Sequence, residues 1–338
     1  MVAGLDKAPS ITVIIPTHNR PGMLERALNS VTSQTTQPFE VVVVDDASSP
    51  EHAERVSVVV REQEGHVRLI RREAEDTPHG PDFARNTGIL NARGRYVTFL
   101  DDDDFWIDRQ HLETASQCLQ ERPDVDYFLA SQQAVRDDAV IVPEWMPELG
   151  RRARGRAEVI EGVFEVSRRD LLWAGGIGFG HVNISVIRRD LIASVGGFWG
   201  GAGYEGDLNF FLRVVDRAEV FMHRPSVVSV NTVRASSDVS GVSSIDRDSK
   251  TLLRMAQCQH ALLHCSSPEV RRYTQALLSG CLKTLARRHW DVGDARNAAL
   301  FAKQAVAAQW SLRWGLIAGL TRVAAVFRSS SQDRWHAP

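Results

Sequence analysis

The sequence predicts an α/β fold: an open mixed, largely parallel sheet flanked by helices, followed by an α-helical C-terminal region. Two observations predict it. Short β-branched apolar runs alternate with amphipathic runs through the first hundred or so residues, and near Ser236 the composition shifts to Ala, Leu, Gln and Arg with almost no strand signal. A third observation locates the chemistry. The apolar run 96–100 leads straight into four aspartates, Asp101, Asp102, Asp103 and Asp104, and then into Phe105 and Trp106.

The elements follow in order. Residues 11–15 read as a buried strand that stops at Pro16, and Pro21 opens a helix on which Leu24, Ala27, Leu28 and Val31 recur at helical spacing. Four valines, 41–44, form the second strand and end in Asp45 and Asp46. A helix over 52–64, a strand over 67–70, a helix over 83–92 and a strand over 96–100 complete the alternation. Alternation requires crossover connections and hence parallel pairing, and such sheets bind ligands beyond the carboxyl ends of their strands. Both aspartate clusters stand at such ends, so both are expected to face one crevice.

Beyond them, Leu112, Ala115 and Leu119 share one helix face before Pro123, residues 125–130 are strand-like, and 136–156 read as a loop with two prolines and an arginine cluster. Glycine-rich stretches at 175–180 and 196–203 flank a strand-like run over 181–187, and a helix opens near Asp207. A boundary at about Ser240 divides a domain over 1–240 from a helical region over 241–330.

Bulk properties narrow the function. A net charge of −2 on 338 residues argues against a nucleic-acid binder. Cys118, Cys258, Cys265 and Cys281 lack CxxC spacing and read as reduced structural thiols. Residues 1–10 lack the apolar core of a secretory signal, and no run of eighteen uncharged apolar residues occurs, so a cytoplasmic location is expected. Neither GxGxxG after the first strand nor GxxxxGK[ST] is present, which argues against dinucleotide-binding dehydrogenases and P-loop enzymes. Phosphate handling then falls to a metal and to basic side chains. Four adjacent carboxylates repel one another, and a hard divalent cation relieves that repulsion. The alternative is a solvated acidic turn.

Several segments together resemble the family 2 inverting glycosyltransferases: 13–20 (VIIPTHNR), 43–48 (VVDDAS), 84–88 (ARNTG), 99–104 (FLDDDD), and Gly196-Gly197-Phe198 followed by 205–213 (EGDLNFFLR). The resemblance runs in matching order over residues 10 to 215 and implies the type A nucleotide-sugar transferase fold. It implies a nucleoside diphosphate sugar as donor, UDP-sugar first among them, a glycan, lipid-linked or small-molecule hydroxyl as acceptor, and Mn2+ or Mg2+ as cofactor. Pro16 and Thr17 would line the nucleotide pocket. Asp45 and Asp46 would hold nucleobase and ribose, since carboxylates accept from imide N–H and sugar hydroxyls; helix capping is the other reading of that pair. Arg85 would either help the diphosphate or brace the acidic loop. Asp101 and Asp102 fall on the donor side, and Asp103, with Asp101, would ligate the metal.

The resemblance also places a general base at the start of a helix, usually in a Glu-Asp pair. Asp207 stands at that position, but Gly206 replaces the preceding acidic residue and Glu205 lies one residue earlier, so the base is either Asp207 or Glu205. Asp207 could also serve only as a helix cap. A histidine that the family often carries after the last strand is missing, with Arg234 as a substitute phosphate contact. His181, Asn183 and Trp199 are acceptor-site candidates.

Two rival functions share these features. A sugar nucleotidyltransferase has a related fold but a glycine-rich, lysine-containing signature after its first strand, which residues 16–21 do not match. An inactive glycan-assembly scaffold would have no need of Asp101, Asp103 and Asp207. In the C-terminal region, residues 283–334 hold nine Lys/Arg against three Asp. There Leu312, Leu316, Leu320, Val323 and Phe327 recur at helical spacing beside Trp310 and Trp314. Such a helix either lies on an anionic membrane surface, at the inner face, or packs its stripe on the catalytic domain.

Overall fold

A computed structural model of the chain describes residues 10–36, 40–63, 67–72, 78–173, 179–201, 205–233 and 245–332, with side chains to 326. Arg234 and parts of both glycine-rich stretches lie outside the described residues. The chain divides into two compact units, Met1–Val239 and Ser240–Pro338.

The first unit begins with the expected alternation: β1 (Ile11–Thr17), α1 (Pro21–Thr32), β2 (Glu40–Asp45), α2 (Pro50–Arg61), β3 (Val67–Arg71), α3 (Pro81–Asn91) and β4 (Tyr96–Phe99). The short β5 (Phe105–Trp106), α4 (His111–Glu121), β6 (Tyr127–Arg136), β7 (Ala139–Val142), α5 (Pro147–Ala153), β8 (Glu158–Ile160), β9 (Val163–Val166) and α6 (Arg168–Trp173) follow. A 3-10 turn (Val182–Ile184), β10 (Ser185–Arg188), α7 (Arg189–Ser194), α8 (Gly206–Arg217) and β11 (Phe221–Thr232) complete it. The sheet order is β3-β2-β1-β4-β10-β6-β11-β9-β8, with β5 on β11 and β7 on β6. Strands β1 to β4 are mutually parallel, β10 runs antiparallel between β4 and β6, and β6 and β11 are again parallel.

Alternation along β1 explains the layers. Ile11, Val13 and Ile15 join Val41 and Val43 in one core with Leu24, Leu28 and Val31 of α1 and Val56 and Val60 of α2. Each such side chain, fully buried, contributes about 1.5–3 kcal/mol. On the opposite face α3 comes so close that a Cβ on Gly88 would lie 2.4 Å from Ile14 Cγ2. Helices thus cover both faces, as buried parallel strands require.

Three expectations needed revision. β1 continues through Pro16 to Thr17, because the missing N–H of Pro16 points to the β4 side, where pairing ends at Ile14 and Phe99. The expected loop over 136–156 contains β7 and α5, elements too short to show a period, with Pro147 opening α5 over buried Leu149 and Ala153. The run 181–187 opens as a 3-10 turn before β10, and this turn carries Asn183 into the interior.

The second unit is helical: α9 (Arg247–His264), α10 (Pro268–Asp291), α11 (Ala295–Ala308) and α12 (Leu312–Gln332). Asp246 and Asp294 cap α9 and α11 by accepting backbone N–H groups. Ala302 of α11 and Ala286 of α10 leave room for Trp314, whose ring also meets Lys283 and Arg287. Trp314 is therefore a packing residue, while Leu312, Leu316, Leu320 and Val323 are each more than half exposed. No helix among the described residues is long and apolar enough to cross a membrane. All four cysteines are buried as thiols.

Candidate functional site

The parallel strands β1, β2 and β4 end at one edge of the sheet, and the acidic clusters stand beyond those ends. Pro16 and Thr17 are buried there, and Thr17 Oγ1 donates to Asp102 Oδ2 at 2.8 Å. Asp45 is fully buried; Oδ1 accepts from Ser48 N–H at 3.1 Å, and Oδ2 lies 3.4 Å from Arg71 Nε. Asp46 accepts from the backbone N–H groups of His79 and Gly80 and pairs with Arg72. It thereby ties down the entry to α3, where Gly80 adopts φ +90°. A donor hydrogen-bonding to either carboxylate would share it with these protein partners.

The four aspartates after β4 have four environments. Asp101 accepts from Arg85 Nη2 at 2.6 Å, and its backbone N–H donates to Asn183 Oδ1 at 3.0 Å. Burial pushes its pKa up, but the Arg85 charge and hydrogen bond outweigh burial and hold it below the usual carboxylate range. Asp102 faces inward to Thr17 and Arg20; burial, then the charge of Asp103, push its carboxyl up to about 7. Asp103 is the most open of the four, with 26% of its side chain exposed and Arg20 at 3.3 Å. Asp104 is buried and accepts from Asn183, Asn231 and the Thr232 N–H, so it bolts the acidic turn to β11. Burial, followed by the charges of Asp103 and Asp101, raises its pKa well above the usual range.

Arg85 sits at the centre. Its side chain is 5% exposed, and Nη1 donates to both Asp82 Oδ1 and Asp207 Oδ1 at 3.0 Å while Nη2 holds Asp101. Burial disfavours its charge, yet the three carboxylates more than compensate and raise its pKa. Burial, reinforced by the charges of Asp207 and Asp101 and opposed by Arg85, pushes Asp82 up to about 7. The Gly196-Gly197-Phe198 segment packs above Arg85: Phe198 lies under the guanidinium at 5.2 Å, and its backbone exchanges two hydrogen bonds with the Asn86 amide. Gly197, at φ +65°, is required there, since a Cβ would lie 2.4 Å from Asn86 Oδ1.

Asp207 lies in the first turn of α8, 18% exposed, with Oδ2 at 3.3 Å from His181 Nε2. His181 Nδ1 accepts from Asn183 N–H at 3.4 Å, an arrangement that leaves the proton of the neutral ring on Nε2, facing Asp207. Asp101, His181 and Asp207 each offer one ligand atom, all within 4.8 Å of one another.

Of the residues singled out in the sequence, the structure gathers Asp101, Arg85, Asp207 and His181; Asp103 is not one of the trio that includes His181. Asn183 is fully buried, with both ends of its amide engaged in the acidic turn, and has no surface for an acceptor. Trp199 is partly buried beside Gly201, and Glu205 stands at the N-cap of α8 with left-handed φ +69°. Two contributors had no assigned role: Arg20, inside the quoted 13–20 motif, and Asp82, whose only sequence signal was its i,i+3 spacing to Arg85.

Comparison with known proteins bears on the family and the fold. Residues 12–196 match the model of glycosyl transferase family 2. The succinoglycan biosynthesis protein ExoW of Rhizobium meliloti is 40% identical over 125 residues, 36% of this chain and 37% of that one. A GalNAc(5)-diNAcBac-PP-undecaprenol beta-1,3-glucosyltransferase of Campylobacter jejuni is 38% identical over 96 residues, 28% of this chain and 30% of that one. The chain thus spans about a third of the length of these curated relatives, 37% of one and 30% of the other. Among solved structures, S. aureus TarS 1-349 in complex with UDP-GlcNAc superposes with a TM-score of 0.63 at 18% identity, over 94% of this chain and 88% of that one. The mannosyltransferase PcManGT of Pyrobaculum calidifontis, in complex with GDP-Man and Mn2+, gives 0.53 at 20% identity, over 100% and 92%. These two share the fold, and with the family model covering more than half of its length, the chain belongs to glycosyl transferase family 2.

Proposed function

We propose that this chain transfers a sugar, with inversion, from a nucleoside diphosphate donor to a hydroxyl of a glycan or lipid-linked acceptor, with Mn2+ or Mg2+ as cofactor. One observation carries the reading. Asp207, at the mouth of a helix beyond the sheet edge, is oriented by Arg85 on one oxygen and by His181 on the other. A partly exposed carboxylate held in this way is suited to take the proton from an attacking hydroxyl.

The donor set fits a hard divalent cation: Asp103 is the most open of the four aspartates, and Asp101 offers a carboxylate oxygen within 4.8 Å of one from Asp207. We assign the cation to Asp101 and Asp103 and keep Asp207 as the base. When bound, such a cation neutralises charge growing on the leaving diphosphate. Arg20, reaching both Asp102 and Asp103, holds the open end of the acidic turn in place, and Thr17 anchors its buried side. UDP is the favoured donor base, in line with UDP-GlcNAc in TarS, and the GDP-Man in PcManGT adds a guanosine donor to the test panel. The exposed apolar stripe of α12 supports peripheral contact with an anionic membrane surface, convenient for a lipid-linked acceptor.

The test is donor turnover and binding across UDP-, TDP- and GDP-sugars with Mn2+ or Mg2+. Asp207→Asn should keep metal-linked donor affinity and lose transfer by a factor on the order of 10² to 10⁴. Asp103→Asn should lose metal-linked donor binding itself. If Asp207→Asn abolishes metal-linked binding while Asp103→Asn retains it, Asp207 is a ligand and the assignment is reversed. Wild-type protein that turns over no donor under any of these conditions would sink the reading.

A further inference from the structure

Gly206 is the place where this chain departs from the acidic pair expected before the base, and the structure supplies a physical reason. Its backbone is not in the left-handed region, so conformation alone does not demand glycine there. Space does. A Cβ on Gly206 would lie 1.9 Å from Asp82 Oδ2 and 2.6 Å from Asp82 Cγ. The carboxyl group of Asp82 therefore fills the volume that a side chain at 206 would begin to occupy.

Asp82 reaches that volume from a different element. It lies in the first turn of α3, is 8% exposed, and its Oδ1 accepts from Arg85 Nη1 at 3.0 Å. The same nitrogen donates to Asp207 Oδ1, also at 3.0 Å. One guanidinium nitrogen is thus shared between the carboxyl beside Gly206 and the carboxylate assigned as base. The position also puts the Asp82 carboxyl at the N-terminus of α8, where helix dipoles favour negative charge.

We propose that Asp82 is a positioning residue that substitutes, from α3, for the acidic side chain missing at 206, and that it orients Arg85 between Asp101 and Asp207. This rests on the transferase reading above. Asp82 acts through Arg85: with Oδ1 engaged on Nη1, the planar guanidinium is left with its second amine for Asp101 and its shared one for Asp207. Without Asp82, that plane loses one of its three carboxylate anchors, and Asp207 is held less firmly for proton abstraction. Acidic groups at 82 and 206 exclude each other, because each needs the same space.

The experiment exchanges the carboxyl between the two helices. Asp82→Ala, Asp82→Asn, Gly206→Asp and the double variant Asp82→Ala/Gly206→Asp are compared with wild type for kcat, donor KM and urea midpoint. Asp82→Ala and Asp82→Asn should each lower kcat by about 10- to 100-fold, as for loss of a supporting contact, with donor KM within about twofold. Gly206→Asp alone should unfold at lower urea, since two carboxyls then compete for one volume. The double variant should recover both the midpoint and at least half of the lost kcat on a logarithmic scale. Unchanged kcat in Asp82→Ala and Asp82→Asn, or a double variant no better than its singles, overturns this proposal while leaving the transferase reading intact. A wild-type protein without donor turnover overturns both.

Discussion

Replacing Arg85 by Met tests the electrostatic centre of the site directly. The guanidinium is buried and serves three carboxylates, at 2.6 Å for Asp101 and 3.0 Å for both Asp82 and Asp207. Removing one partner of a buried ion pair costs about 3–5 kcal/mol, because the remaining charge is left uncompensated. With three carboxylates depending on one cation, the loss should reach the top of that range at pH 8. It should then shrink with acidification, and the sign follows from the two kinds of group involved. Asp82 has a folded pKa of about 7, above its unfolded value of 3.8, so its contribution favours folding at low pH and is lost as pH rises through 7. Asp101 is the opposite case. Its depressed pKa contributes stability above pH 3.8 that is lost only as pH falls below that value.

In the Arg85→Met variant the Asp101 contribution disappears and both carboxyls take up protons at higher pH than in wild type. The deficit is therefore largest at pH 8 and smaller at pH 5. Urea unfolding of both proteins at the two pH values, with m-values compared to confirm a common unfolded state, measures it. A deficit below about 1 kcal/mol at pH 8, within the range of ordinary surface substitutions, would refute the reasoning. So would a deficit at pH 5 equal to or larger than that at pH 8.

Two further outcomes can be measured independently. Gly94→Ala should lower stability by about 1–3 kcal/mol, because its Cβ would lie 2.8 Å from Thr12 N and 2.9 Å from Ser10 O, backbone atoms that cannot step aside. Gly22→Ala, in α1 with nothing within 4 Å, should instead stabilise by about 0.5 kcal/mol, and urea midpoints moving in the same direction for both would contradict the argument. For the membrane reading, wild-type protein should float with anionic liposomes at low salt and release at high salt, and Leu316→Glu/Leu320→Glu should not float. Absence of low-salt binding, or equal flotation of the variant, removes α12 as a membrane contact.

The parallel half of the sheet was legible because β1, β2 and β4 are mostly apolar runs and Pro21 opens the first helix, signals that depend only on neighbours in sequence; α2 and α3 begin two residues earlier than expected, at Pro50 and Pro81. The far half was not. β7, β8 and β9 have four residues or fewer, too short for a period to emerge, and are held by pairing with β6, β11 and one another. The site divides along the same line. The aspartates after β2 and β4 were visible because a strand end followed by acid is a local pattern. Their separate fates were not, since they depend on which partner arrives from elsewhere: Asn183 looked like an acceptor contact beside a glycine run and proved to be the joint between Asp101 and Asp104.

Arg85 shows the limit most plainly. Its two readings, diphosphate contact or brace, could not be separated in sequence because the decisive partner, Asp207, lies 122 residues away. The geometry shows the contacts of a brace, with one amine on Asp101 and the other on Asp207. On the proposed function, a guanidinium that holds both Asp101 and Asp207 couples donor binding to proton abstraction. Any substitution that moves it should disturb both, whereas one at Asp103, which pairs with Arg20 at the open end of the acidic turn, should act on donor binding.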